Sequence, residues 1–347
     1  MKNIIALLTL ISFCVASHAQ FDAEKDPFMT RSLSNDAIKN VKVRTSGGGI
    51  TVTGVNASEA KLEVYVRPNN GSGSLSKEEI QKRLEEDYDL SITVNGNLLT
   101  ATAKQKHNFN FNWKRQLSIS FKVYVPQAVS TDLSTSGGGI HLSNLTGSQD
   151  FSTSGGSLDI NQLSGTIKGS TSGGSITVKN TSNVINLETS GGSINAENCS
   201  GTIDLSTSGG SLTLNNLQGT IKAHTSGGSV HGKNINGELD AHTSGGSITL
   251  NDISGSLETS TSGGSIHAEI KELGKYVTIK NSGGNIDLLL PDNKGMNLNL
   301  HASKISLASV KAFSGSKDDN DMNGTINGGG VPVTVKASSG RVTVAVK

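Results

Sequence analysis

The stretch TSGGSITVKNTSNVINLETSGGSINAENCSGTIDLS, residues 171–206, contains two successive copies of one 18-residue pattern. Each copy opens with Thr-Ser-Gly-Gly, and this tetrapeptide recurs at intervals of 18 residues through the middle of the chain. The threonines that open it are Thr135, Thr153, Thr171, Thr189, Thr207, Thr225, Thr243 and Thr261. A fixed period over many copies is typical of stacked repeat architectures, in which each repeat buries its apolar face against its neighbours.

Apolar and polar residues alternate within each copy, which is the period of a β-strand with one face inward. When the copies are aligned, aliphatic residues fall into common rows. The predicted core residues are Ile176, Ile194, Leu212 and Ile248 in one row, and Ile203 and Ile221 in another. We therefore predict an all-β fold, a single-stranded parallel β-helix (β-solenoid) of 18-residue coils, and expect it to be right-handed.

Asparagine and glycine mark the corners of each coil. Asn198 and Asn216 occupy one position of the repeat, and Gly201 and Gly219 follow three residues later. Both residue types tolerate the positive φ that a sharp corner requires. Stacking should also place the amides above one another, so we predict hydrogen bonds along the asparagine column.

The repeat and its flanks divide the chain into five segments. They are a signal peptide over 1–19, an N-terminal arm over 20–40, a first coil with a small α+β capping lobe over 41–132, a regular solenoid over 133–290, and irregular C-terminal coils with a cap over 291–347. Within the lobe, the capping box from Ser76 to Glu79 predicts a short helix over about 77–88. The pair Asn95-Gly96 predicts a hairpin, and residues 313–324 predict a polar loop.

The first residues indicate export. Lys2 precedes a short apolar run, which ends in the small-x-small sequence Ser17-His18-Ala19 of a cleavable signal peptide. We expect the periplasm, the outer surface or secretion. The chain has 30 basic and 29 acidic residues, and loss of Lys2 with the signal balances them, which argues against a nucleic-acid partner. We predict no transmembrane segment, because no other stretch is apolar enough.

One aromatic stretch suggests a ligand platform. Phe109, Phe111 and Trp113 alternate with amides, which include Asn110 and Asn112. On a strand the three rings share one face and the amides share the other, an arrangement that suits a glycan. The alternative is that the rings pack the lobe onto the end of the solenoid.

Two groups of residues suggest metal binding. Asp319, Asp321 and Asn323 match the first half of a calcium loop, but Gly330 stands where such a loop carries its bidentate glutamate. The alternative is a solvated acidic loop. His224 and His242 occupy equivalent positions in successive coils, and since their row offers no third ligand we expect an exposed ladder.

The order of motifs resembles the bacterial putative-adhesin domain family of unknown function. The similarity covers residues 35–347 and rests on Val125-Pro126, the Ser-Gly-Gly coils, the run Gly-Gly-Asn-Ile-Asp-Leu-Leu-Leu-Pro over 283–291, and Ser-Ser-Gly-Arg-Val over 338–342. The resemblance implies a β-helical exported protein. It brings no catalytic residues.

The expected function is adhesin-like binding of an extended partner, either a glycan, an envelope component or a protein, through a polar surface. We expect no enzyme activity and no cofactor, since neighbouring coils are near copies and an active site needs unusual residues that converge. One alternative is a polysaccharide-active enzyme that uses stacked carboxylates such as Asp240 and Glu258. Another is an ice- or crystal-surface binder. The oligomeric state stays open.

Overall fold

The structure is a computed structural model that describes residues 25–69, 75–106, 115–308 and 313–347. The predicted signal peptide, residues 1–19, lies outside these ranges. The described residues are mainly β-strand, with one α-helix, Lys77–Asp87, and one 3-10 turn, Ala57–Glu59. Neither of the described helices has the length and apolar character that crossing a bilayer requires.

Parallel strands stack coil upon coil through the regular solenoid. Ile176 pairs with Ile194 and Ile194 with Leu212, so the register advances by one 18-residue repeat from coil to coil. The strands of this part are Ser130–Thr135, Ile140–Thr153, Leu158–Thr171, Ile176–Lys179, Ser182–Thr189, Ile194–Glu197, Ser200–Thr207, Leu212–Thr225, Val230–Thr243, Ile248–Thr261, Ile266–Asn281 and Ile286–Leu290. The chain is therefore a β-solenoid.

The aliphatic rows form the interior. All six core residues named from the sequence, Ile176, Ile194, Ile203, Leu212, Ile221 and Ile248, are at most 1% exposed. Ser175 and Ser193, each one residue before a core isoleucine, are exposed. This register matters because a slip of one residue would turn every buried side chain outward.

The Thr-Ser-Gly-Gly turn is explained by close stacking. Thr171 is buried, and its Oγ1 donates a hydrogen bond to the carbonyl oxygen of Gly156 in the preceding coil at 2.8 Å. The second glycine has a steric role, since a Cβ on Gly174 would lie 2.0 Å from the same oxygen. Only glycine therefore lets successive turns approach at the spacing of a β-ladder.

The asparagine corner is built as its sequence position predicts. Asn180, Asn198, Asn216 and Asn234 adopt positive φ between 52° and 55°. The Nδ2 of each residue from Asn198 onward donates to the Oδ1 of the asparagine one coil before it, at 2.9–3.3 Å. These amide bonds link four coils along one edge.

The capping lobe lies outside the first coil in space, although it follows that coil in sequence. Leu98–Gln105 and Leu117–Pro126 pair in parallel with the first coil and form the layer beyond it. Antiparallel strands then close this end. The strands at this end are Met29–Ser32, Asn40–Thr45, Ile50–Val55, Lys61–Pro68, Tyr88–Asn95, Leu98–Gln105 and Leu117–Pro126.

Local signals in the lobe are confirmed. Ser76 is the N-cap of the helix Lys77–Asp87, and its side chain accepts a hydrogen bond from the Glu79 N–H at 3.3 Å. Asn95 pairs with Leu98 across a tight hairpin, in which Gly96 has φ +57°. Short-range sequence motifs therefore predict the local structure of the lobe correctly.

The C-terminal end also departs from sequence order. The late strand Val331–Ala337 lies between Ile266–Asn281 and Met296–His301, parallel to both. In the same way, the strand Arg341–Val346 lies between Ile286–Leu290 and Lys304–Ala308 and is parallel to both. The strands here are Met296–His301, Lys304–Ala308, Phe313–Lys317, Asp321–Ile326, Val331–Ala337 and Arg341–Val346.

One sequence prediction at this end is wrong. Residues 313–324, expected to form a polar loop, contain Phe313–Lys317 and most of Asp321–Ile326, which pair as an antiparallel hairpin. Asp321–Ile326 also pairs with Met296–His301, so it continues the sheet. Two side chains of this strand, Met322 and Ile326, are buried in the apolar core. They are surrounded in the sequence by polar residues, so the sequence does not show the alternation of a strand.

Candidate functional site

A cleft of about 460 Å³ opens where the capping lobe meets the turns of the first two coils. Ser46 and Ser136 line it from the turns, and the lobe contributes Asn69, Gln105 and Gln116. Concave sites lined by a few convergent polar groups are where small ligands usually bind. We therefore take this cleft as the first candidate site.

Tyr88 gives one side of the cleft a fixed position. It is 8% exposed, and its hydroxyl accepts a hydrogen bond from Leu117 N–H at 2.8 Å and donates to Leu117 O at 3.3 Å. Burial raises the pKa of Tyr88 above its usual value. The hydroxyl is therefore protonated at neutral pH, and Leu117 takes both of its hydrogen bonds. Tyr88 thus supports the wall of the cleft and does not offer its hydroxyl to a ligand.

Gln105 is the unusual group in the cleft. Its Nε2 is buried and has no hydrogen-bond partner among the residues that the structure describes. A buried donor without a partner costs roughly 1–3 kcal/mol, so such a group needs an explanation. Two other polar residues of the cleft bond to each other, since Asn69 Nδ2 donates to Gln116 Oε1 at 3.3 Å. An incoming acceptor would give Gln105 Nε2 a hydrogen bond that the described part of the chain does not supply.

An ion-pair cluster holds the chain that leads to Gln116. The Arg115 guanidinium donates to Glu86 Oε2 at 2.7 Å and to Asp87 Oδ2 at 3.0 Å. These contacts tie the rim of the cleft to the C-terminal end of the helix. The predicted platform, Phe109, Asn110, Phe111, Asn112 and Trp113, lies outside the described residues.

A second candidate lies on the outer face of the solenoid. His224 and His242 stack with ring centroids 5.3 Å apart and an interplanar angle of 13°. Asp240 joins them, and the three residues offer ligand atoms that all lie within 4.8 Å of one another. Asp240 belongs to a different column of the repeat from the two histidines, so equivalence between coils does not reveal it as their partner. Residues i and i+2 of a strand share a face, and this spacing is the signal that would have found it.

The predicted calcium ligands lie in and beside a hairpin turn. Asp319 is in the turn, where its carbonyl oxygen accepts from Ile305 N–H at 2.8 Å. Asp321 and Asn323 are exposed on the following strand, and Asp321 Oδ1 contacts His301 Nδ1 at 2.7 Å. Two of the three predicted ligands, Asp319 and Asp321, therefore already bond to residues of neighbouring strands.

The stacked carboxylates have different partners. Asp240 and Glu258 occupy paired positions in adjacent coils. Asp240 faces His242, whereas Glu258 Oε1 lies 3.4 Å from Lys280 Nζ. An acid–base pair would need the two carboxyl groups to face a common substrate position.

Comparison with known proteins gives one family match. The family model described as Toastrack DUF4097 matches residues 70–345. No curated protein matches the chain.

Three solved structures are similar in part. A putative adhesin from Bacteroides fragilis NCTC 9343 is 18% identical, with 73% of this chain and 96% of that chain covered and a TM-score of 0.29. A putative adhesin from Parabacteroides merdae ATCC 43184 is 11% identical, with coverage of 92% and 96% and a TM-score of 0.27. A putative cell adhesion protein from Clostridium sporogenes ATCC 15579 is 9% identical, with coverage of 92% and 98% and a TM-score of 0.19.

Proposed function

Since this chain belongs to the Toastrack DUF4097 family, we propose that it is an exported, adhesin-like β-solenoid that binds an extended partner and does not transform it. The solenoid supplies a rigid support, because every coil is tied to the next by backbone ladders and side-chain bonds. Binding needs only complementary groups on such a support, whereas catalysis needs a convergent reactive set.

The proposed ligand is a glycan, and the proposed site is the cleft beside the capping lobe. The observation that carries this assignment is Gln105, which lines the cleft and whose buried Nε2 has no hydrogen-bond partner among the residues described by the structure. A sugar hydroxyl or carbonyl would accept its hydrogen bond. Asn69, Gln116 and the turn serines add further donors and acceptors around it.

The aromatic pattern supports the same ligand class. Phe109, Phe111 and Trp113 lie in the sequence between Gln105 and Gln116, two residues that line the cleft. Sugars present apolar ring faces that stack on aromatic side chains and hydroxyls that bond to amides. The exposed hydroxyls of Ser175 and Ser193 offer a polar surface for the continuation of a long chain.

A glycan array on the mature protein tests the proposal, with Gln105→Leu as the diagnostic variant. Leucine removes the buried Nε2 donor, so stability should be unchanged or higher while glycan binding falls. The matched control is Gln218→Leu, at an exposed glutamine in the regular solenoid, which should leave binding intact. Trp113→Ala should weaken binding too.

Three results would overturn the assignment. An array without specific binding would remove the glycan. Equal binding by the wild type and Gln105→Leu would remove the cleft as the site. Release of reducing ends from a bound polysaccharide would show catalysis and contradict the binding role.

Export is tested separately, by cell fractionation of the full chain. We propose delivery to the periplasm, the outer surface or the medium, directed by residues 1–19. Deletion of these residues should keep the protein in the cytoplasm, whereas an unchanged distribution would contradict the signal assignment.

A further inference from the structure

We propose that His224, Asp240 and His242 form a binding site for a divalent transition-metal cation such as Zn²⁺. Two imidazoles and one carboxylate are a ligand set that suits this class of ion. Their ligand atoms lie within 4.8 Å of one another, and all three residues are half-buried. The site is independent of the glycan cleft, which lies at the capping end.

The solenoid brings the three residues together through two simple geometric relations. Strand pairing places His224 directly beside His242 in the next coil. Strand alternation places Asp240 on the same outer face as His242, two residues away. Nitrogen ligands of Zn²⁺ lie about 2.0–2.1 Å from the metal, so small side-chain rotations would bring the three ligand atoms into coordination range.

Ser260 orients one of the ligands. Its Oγ lies 2.6 Å from Nδ1 of His242, on the side of the ring away from Asp240. Metal-binding imidazoles commonly use their second nitrogen for such an outer hydrogen bond, which fixes the tautomer and the ring orientation. With Nδ1 donating to Ser260, the Nε2 lone pair of His242 is available to a cation.

Asp240 places its carboxylate directly against one of the imidazoles. Its Oδ1 is in close contact with His242 Nε2, but this contact does not satisfy hydrogen-bond geometry. Oδ1 is buried, and the polar contact that the described residues give it is this ion pair with His242. If the two side chains rotate apart, a cation can replace this direct contact and bind both the carboxylate oxygen and the imidazole nitrogen.

Neighbouring charges should tune the affinity. Lys222 is paired with Asp240 in the ladder, and Glu258 is paired with it on the other side. The ammonium of Lys222 repels a cation, whereas the carboxylate of Glu258 attracts one. Replacement of Lys222 should therefore tighten metal binding without any change in the ligands.

Calorimetric titration of the mature protein with Zn²⁺, in a form without a histidine tag, tests the site. We expect one equivalent to bind, and His224→Ser or His242→Ser to abolish binding. Serine occupies this row natively at Ser206 and Ser260, so both variants should fold. The matched control is His231→Thr, because the exposed His231 lies between Thr213 and Thr249 in its own row.

Two further variants test the details of the site. Ser260→Ala should weaken Zn²⁺ binding by about 10- to 100-fold, as loss of an outer hydrogen bond usually does. Lys222→Asn should strengthen it, and asparagine occurs natively in that row at Asn186. Substitution by Co²⁺ should give a visible absorption band in the wild type that His224→Ser lacks.

The proposal fails if Zn²⁺ does not bind, or if His231→Thr reduces binding as much as His224→Ser does. It also fails if His224→Ser binds Zn²⁺ like the wild type, since a Ser260–His242–Asp240 arrangement alone would not need His224. None of these three results would affect the glycan assignment.

Discussion

Thr189 and Gly174, in successive coils, are joined by a hydrogen bond of 2.8 Å from Thr189 Oγ1 to the glycine carbonyl oxygen. The same hydroxyl accepts from Gly192 N–H at 3.2 Å, so one side chain connects two turns. The threonine that opens each repeat, from Thr135 through Thr261, makes the equivalent bond to a glycine carbonyl oxygen of the preceding coil. In the described coils the threonine that opens each repeat therefore lies inside, so this most regular column of hydroxyl groups does not face outward toward ice or a crystal surface.

Replacement of this threonine should be costly. Thr189→Val keeps the shape but removes both bonds and leaves buried backbone groups without them, so we expect a loss of about 1–3 kcal/mol in the free energy of unfolding. Urea denaturation measures it. Ser190→Ala, at the exposed next position, is the control and should change stability by no more than about 0.5 kcal/mol. Equal effects would contradict an interior role for Thr189.

The two glycines of one turn should differ sharply. A Cβ on Gly174 would lie 2.0 Å from Gly156 O, whereas a Cβ on Gly173 would come no closer than 3.6 Å to its neighbours. Gly174→Ala should therefore force coils apart and cost about 3 kcal/mol, at the upper end of overpacking effects. Gly173→Ala should be tolerated. Thermal unfolding of the two variants gives the comparison, and similar melting temperatures would show that coil spacing is not set by this turn.

A third contrast tests the aliphatic core. Ile203 is 1% exposed and lies between Ile185 and Ile221 in the ladder, so Ile203→Ala should cost about 2–5 kcal/mol. Asp204 follows it on the outer face, and Asp204→Ala should change stability by no more than about 0.5 kcal/mol. Chemical denaturation measures both. Small and equal effects would remove the stacked core.

The ends of the stack predict an unusual pattern of hydrogen exchange. Val331–Ala337 is close to the C-terminus but is paired on both sides, whereas the hairpin strand Phe313–Lys317 pairs, within the described ranges, only with Asp321–Ile326. Amides of Val331–Ala337 should therefore exchange much more slowly than those of Phe313–Lys317. Exchange followed by mass spectrometry tests this. Faster exchange in Val331–Ala337 than in Phe313–Lys317 would contradict this arrangement of strands.

Tyr276 predicts a stability loss at high pH. Its hydroxyl donates to Glu238 Oε1 at 2.9 Å, and this bond, with burial, raises the pKa of Tyr276 from 10.0 to about 12. A raised pKa in the folded state means that the contribution is complete below pH 10 and is lost as pH rises through about 12. Tyr276→Phe should remove a late-titrating tyrosine from the 295 nm absorbance titration. Glu238→Gln should move that titration toward lower pH.

The sequence by itself determined the coil. The 18-residue period, the aliphatic rows and the corner asparagines are local and repeated, so each residue meets its own equivalents once the coils stack. Ile176 above Ile194 and Asn198 above Asn216 follow from this rule. The helix after Ser76 and the hairpin at Asn95-Gly96 were also predictable, because caps and tight turns depend on a few adjacent residues.

Only the tertiary structure decided the order of layers at the ends and the grouping of side chains on the surface. Val331–Ala337 lies between two strands that precede it in sequence. The repeat period does not predict this position, because the coils at this end have diverged from the 18-residue pattern. The same holds for the cleft, where Gln105 meets the turns of the first coils. Such neighbours are set by how strands pair across long chain separations, which residue patterns along one strand do not encode.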